Sequence, residues 1–171
     1  MPTVSPTHTD QFFSGVKNDI DLTKFTQWSL CWHELYSVSN ETSEDDLLNA
    51  LCTKKRLMLA CGGPDTPTVA HVAAQANRED VTFPTQFPNV IPHVANNVSW
   101  YWNTTQSFGF APQGEIITLD ACDVVDEDNR ICIHFTSDVV TEGYRCGLHK
   151  QNSSIGWFRM FLHTDEESND F

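Results

Sequence analysis

Val98-Ser99-Trp100-Tyr101-Trp102, then after four residues Ser107-Phe108-Gly109-Phe110, is the stretch on which the reading of the fold turns. Both runs are short and aromatic-rich, and they are bounded by Asn, Gln and Pro, a composition that suits strands better than helices. Side chains alternate along a strand, so Trp100 and Trp102 share one face and Tyr101 takes the other. One face has to be core. The other is open to use as a stacking platform for a sugar ring or as a protein contact. Trp100, Tyr101 and Trp102 are therefore candidate ligand or interface residues, with core packing as the plain alternative.

Outward from that stretch, similar runs occur at 56–61, 115–119, 130–136, 143–146 and 155–163, closed by Gly, Pro, Asn or Asp, and 68–76, whose alanines also suit a helix, reads as a strand from its flanking turns. The strongest stop is Gly62-Gly63-Pro64, and Pro84, Pro88 and Pro92 punctuate a loop over 82–95. Short strands at this spacing predict a mainly β domain, an antiparallel sandwich or barrel. One short helix is expected over 43–52. Thr42 or Ser43 caps it, Asp45 and Asp46 lie at its positive end, and Leu47, Leu48 and Leu51 form its apolar stripe. In 25–36, Phe25, Trp28, Trp32 and Tyr36 recur three and four apart, which reads as a helical face or as short β structure. Residues 1–10 are expected to be a disordered segment, 11–163 a single β-rich domain, and 164–171 a solvated acidic tail.

The chain has 171 residues, the length of one domain, and a formal net charge of −13 from 10 Lys and Arg against 23 Asp and Glu. No basic stripe exists to neutralise phosphates, which excludes nucleic acid as a partner, and an anionic membrane surface repels such a chain. No apolar run is long enough for a transmembrane helix.

Six cysteines stand at Cys31, Cys52, Cys61, Cys122, Cys132 and Cys146, with no C-x-x-C pair to suggest a zinc ribbon or a redox motif. An even count spread along the chain predicts three disulfides. Many connectivities satisfy it, and the favoured one is Cys31–Cys52, Cys61–Cys146 and Cys122–Cys132. Four N-x-S/T acceptors, at Asn40, Asn97, Asn103 and Asn152, point to a secreted glycoprotein. Met1 to Asp10 lacks the pattern of a signal peptide, which by itself argues for a cytosolic chain with six buried thiols; the cysteines and acceptors argue the other way, and the expectation is an extracellular chain whose leader precedes Met1.

From the middle of the chain a likeness emerges. It is carried by Asn97-Val98-Ser99-Trp100-Tyr101, Ser107-Phe108-Gly109-Phe110-Ala111-Pro112-Gln113-Gly114, Cys122-Asp123, Arg130-Ile131-Cys132-Ile133-His134, Gly143-Tyr144-Arg145-Cys146-Gly147 and Trp157-Phe158-Arg159. Arg56-Leu57-Met58-Leu59-Ala60-Cys61 and Cys31 precede them in the same order. Over roughly 28–164 the chain resembles a family of secreted, cysteine-containing domains of large extracellular proteins, a family with no assigned function. The resemblance implies an extracellular setting and structural cysteines, and it supplies no catalytic residue. This chain departs from the family's pattern at Phe108 and Ile133, where the family has Trp, and at Ser137 to Glu142, where the family is glycine-rich.

Several groupings could carry chemistry. Cys132 with His134, and Cys31 with His33 and Glu34, have the proximity of a Cys–His nucleophilic pair, but disulfide sulfurs beside structural histidines explain them better. Asp123, Asp126, Glu127 and Asp128, between Cys122 and Cys132, offer the hard oxygen ligands that calcium needs, although not in EF-hand spacing; a solvated acidic turn explains them as well. The seven histidines show no H-x-x-x-H spacing, and neither P-loop, dinucleotide fingerprint, G-x-S-x-G nor H-E-x-x-H occurs. No cofactor is expected. The sequence thus favours a non-enzymatic extracellular glycoprotein module with a structural, adhesive or assembly role. Its partners would be other extracellular proteins, glycans or further copies of itself. A carbohydrate-binding, lectin-like module is the first alternative, and a secreted enzyme with a site invisible in sequence is the second.

Overall fold

The strand β3 (Arg56–Gly62) is buried at every position. A run apolar on both sides belongs in the middle of a sheet that is covered on both faces. The computed structural model describes residues 11–36, 48–86, 90–103, 107–117, 127–134, 145–150 and 156–166, and in it β3 is the central strand of the first of two antiparallel sheets. Its neighbours are β4 (Val69–Asn77) and β11 (Phe158–Thr164), and the edges are β1 (Lys17–Asp21) and β2 (Ser29–Leu35), giving the order β1-β4-β3-β11-β2. The second sheet runs β10-β9-β8-β7-β6-β5, from β5 (His93–Ala95), β6 (Val98–Trp102), β7 (Ser107–Pro112), β8 (Ile131–His134), β9 (Arg145–Cys146) and β10 (His149–Lys150). A short helix, α1 (Arg78–Val81), follows β4.

The sheets face each other across one apolar layer. Trp32, Leu57, Leu59, Val72 and Phe161 come from the first sheet, and Trp100, Trp102, Phe108, Phe110, Ile131 and Ile133 from the second. The result is a disulfide-stapled β-sandwich. One bridge, Cys61–Cys146, joins β3 of one sheet to β9 of the other across 85 residues of chain. A second, Cys31–Cys52, ties edge strand β2 to the residues before β3. Cys132 is also disulfide-bonded, while Cys122 lies outside the described residues.

Each outer face has its own cover. On the first sheet, Phe12, Phe13, Phe25 and Trp28 pack over Met58, Ala60, Met160 and Leu162. This strap is pinned by the fully buried Gln75, whose amide donates to the Gln11 carbonyl at 2.9 Å and accepts from the Phe13 N–H at 3.3 Å. On the second sheet, Ile117 and Val90 cover Tyr101, Ala111 and Cys132. There Tyr101 crosses Gly109, its cross-strand neighbour, to donate to the Ile131 carbonyl at 3.1 Å. A Cβ at Gly109 would collide with that carbonyl, so only glycine fits.

Several expectations are corrected. Trp100, Tyr101 and Trp102 are 1%, 1% and 3% exposed; both faces of β6 are interior, so none of the three can stack on a sugar or meet a partner. The open choice over 25–36 resolves as β2 preceded by a 3-10 turn at Leu22–Lys24. The four-residue spacing of Trp28 and Trp32 is not a helical face. A register shift between Phe161 and Leu162 pairs them with Trp32 and Leu30, leaving Cys31 as the extra residue. Such a bulge reverses the alternation, so Trp28 faces the strap and Trp32 faces the inter-sheet layer.

Residues 115–117, expected in a strand, have none; they are held by the buried Arg130 instead, which reaches the Ile116 carbonyl at 2.6 Å and Glu115 at 3.0 Å. Of the expected helix 43–52, the described part is helical at 48–50. Leu48 is buried, but Leu51 is 49% exposed and not part of the stripe. The supposed loop over 82–95 contains β5. Thr164, expected to open a tail, ends β11 and is buried. The segment 1–10 and the tail beyond 166 lie outside the described residues.

Candidate functional site

Buried histidines and carboxylates need partners, and where several meet at a surface cleft they mark a candidate site. The best such place is centred on His71 of β4. Its Nε2 lies 2.7 Å from Asp128 Oδ1, and its Nδ1 lies 3.6 Å from Asp19 Oδ1. The His149 ring stands edge-on to it at 5.1 Å, and His149 in turn lies 4.3 Å from the indole of Trp157. With Asp65 and Thr66, the side chains of Asp19, His71, His149 and Trp157 line a cleft of about 270 Å³.

Local backbone makes the approach possible. Asp19 adopts a left-handed φ of 54°, a conformation that Asp tolerates better than most residues. Gly147, in the turn between β9 and β10, has a φ of 60°, and a Cβ there would run into Asp128. Asp128 also accepts from the Leu148 N–H at 3.1 Å. Asn18 donates to the carbonyls of both His71 and Asp128, at 3.2 and 3.1 Å. Asp128 therefore ties β4 to the β9–β10 turn through its carboxylate and β1 to both through its main-chain carbonyl. Desolvation works against the charge of Asp128, but the hydrogen bonds from His71 and Leu148 outweigh it and hold the carboxyl below its ordinary range.

Chemically, the arrangement is a clamp with an open side. The His71 ring is oriented by the bond from its Nε2 side to Asp128, while its Nδ1 faces the exposed Asp19 carboxylate beyond hydrogen-bond distance. The exposed polar groups of the cleft are Asp19, Asp65, Thr66 and His149. On one side Trp157 rests against Gly63.

A second carboxylate–imidazole pair, His93 with Asp80 at 2.8 Å, secures edge strand β5. There Phe83 stacks on His93 at 4.1 Å.

The residues singled out from sequence fare unevenly. Glu127 is bound to Arg130 at 2.9 Å and Asp128 to His71, so the two do not pool their oxygens for calcium. Asp123 and Asp126 lie outside the described residues. Among the described residues no group of three or more His, Cys, Asp or Glu is placed to hold a metal ion. Cys31 and Cys132 are in disulfides, so neither is a thiolate nucleophile. Asn97 is exposed at the tip of the β5–β6 hairpin. Asn103 is half-buried and donates to the Thr85 carbonyl at 3.1 Å. Asn40 and Asn152 lie outside the described residues. Asp19, His149 and Trp157 carried no local signal, because each acquires its role only through partners distant in the chain.

Comparison with protein-family models, with curated proteins and with solved structures finds no match.

Proposed function

We propose that this chain is an extracellular, non-enzymatic module that serves as a rigid structural or adhesive unit in contacts with other extracellular proteins. The observation that carries the reading is the Cys61–Cys146 bridge through the inter-sheet core. Disulfides persist in oxidising compartments, and one of this span constrains the unfolded chain strongly. The clamp at His71 supports the same reading, since Asp128 and Asn18 hold β4, β1 and the β9–β10 turn together.

The test is the intact mass of the protein secreted from eukaryotic cells, taken before and after reduction with alkylation. The expected result is a gain matching six blocked thiols that appears only after reduction. Six thiols already reactive in the native protein would overturn the extracellular reading.

A carbohydrate-binding module is the second reading, and one observation favours it. With Trp100–Trp102 in the core, the half-exposed Trp157 beside Asp19 and Asp65 is the place where an aromatic surface and carboxylates meet in a cleft. His149 lies over that indole, so a sugar ring has to displace it. Glycan-array binding that Trp157→Ala abolishes would support this reading, and an array without hits would remove it.

A further inference from the structure

We infer that Asn97 carries an N-linked glycan, and that it is attached before the β5–β6 hairpin docks into the sandwich. The inference rests on the extracellular reading above. Asn96 and Asn97 are the two central residues of that hairpin, with φ values of 52° and 58°. Two left-handed residues in a two-residue loop make the tight turn whose twist matches the strands, and Asn is among the few side chains that tolerate it. Asn97 is exposed, and its amide donates to Ser14 Oγ on the strap. A sugar on Nδ2 leaves one N–H for that bond and projects from a hairpin tip, where it displaces no packed side chain.

The third residue of the acceptor motif is in the opposite situation. Ser99 is fully buried on β6, and its hydroxyl has no partner among the described residues. An unsatisfied buried hydroxyl costs stability, so the folded state alone gives no reason for serine here. The transfer reaction does, because the N-x-S/T motif requires that hydroxyl. It is reachable only while the hairpin is undocked. Ser107 on β7 also has an orphan hydroxyl, so this feature alone marks nothing. What sets Ser99 apart is the exposed, left-handed Asn two residues before it.

The test is peptide mapping of the secreted protein with and without N-glycosidase, on wild type, Ser99→Ala and Asn97→Asp. The wild-type peptide bearing Asn97 is expected to carry sugar and, after enzyme treatment, to read as Asp. Ser99→Ala is expected to lose that sugar while melting no lower than deglycosylated wild type. Asn97→Asp keeps a residue that accepts the left-handed turn, and guards against misreading a folding defect. In a second arm, unmodified folded protein and the reduced, unfolded chain are each given oligosaccharyltransferase and a lipid-linked oligosaccharide. Only the unfolded chain should be modified at Asn97. A secreted, disulfide-bonded protein with a bare Asn97 would overturn the inference and leave the extracellular reading intact. Modification of the folded protein would overturn the order of events. Six free thiols would instead overturn the reading on which both rest.

Discussion

Two tryptophan environments divide this molecule. In the inter-sheet layer Trp100 packs against Phe110 at 5.3 Å and is 1% exposed. There even the cation of Arg159 is buried, 5.4 Å from the ring of Trp32 and 5.5 Å from that of Tyr36. At the cleft, Trp157 is half-buried: it packs against the layer and also meets the rings of His149 and His71, the latter paired with the half-hydrated Asp128 carboxylate. The same residue types thus fill space in one region and present groups to water in the other. In the layer, energy comes from area removed from water and from close packing. At the cleft it comes from a few hydrogen bonds, each of modest net worth. Substitutions in the layer should therefore unfold the protein, whereas substitutions at the cleft should leave it folded and change what it can hold.

The largest effect tests that division directly. Trp100→Ala should lose about 3–5 kcal/mol of stability, the usual range for emptying a large aromatic site. Trp157→Ala should lose less, because part of the ring already meets water although it also packs against the layer. Urea unfolding of both variants decides the matter, and equal losses would make the cleft a part of the core.

Next come the bridges. Replacing Cys61 and Cys146 by alanine should cost about 2–5 kcal/mol, and more than replacing Cys31 and Cys52, since the closed loop is longer, 85 residues against 21. Thermal melts of the two double variants measure the order. A reversed order would place the main restraint at the β2 edge rather than between the sheets.

The sequence revealed most where the layer is and least where the cleft is. The short aromatic runs of Val98–Trp102 and Ser107–Phe110 placed two strands directly, because a brief apolar run closed by turn residues marks a strand buried on both faces. β1, with the sequence Lys-Asn-Asp-Ile-Asp, left none; an edge strand with most of its side chains in water needs little apolar content. The bulge at Cys31 hid β2 by giving two strand faces the spacing of one helical face. What made Trp100–Trp102 look like a platform was the assumption that the second sheet had a bare outer face, and the cover formed by Val90 and Ile117 could not be foreseen locally. The cleft joins Asp19, His71, Asp128 and His149, whose meeting depends on sheet order, so no short window contains it.

The smallest expected effect sharpens the same division through pH. Asp128→Asn keeps a carbonyl for His71 and Leu148 but removes the charge. Its cost should be about 0.5–1.5 kcal/mol near neutral pH, toward the low end because the side chain is partly hydrated. The folded-state pKa of Asp128 is depressed, so its contribution is fully present above the ordinary carboxylate value of 3.8 and is lost as pH falls through the lower folded value. His163 adds a second acid-side loss. Burial lowers its pKa from 6.5, so the folded state resists protonation and stability declines as pH drops below that value. This second decline is common to wild type and variant and cancels when one curve is subtracted from the other. The difference curve should therefore be flat from neutral pH down to about 5, then shrink toward zero in stronger acid. If instead the difference grows on mild acidification before it shrinks, the clamp draws its strength from an ion pair with a protonated imidazole rather than from the hydrogen bonds of the carboxylate alone.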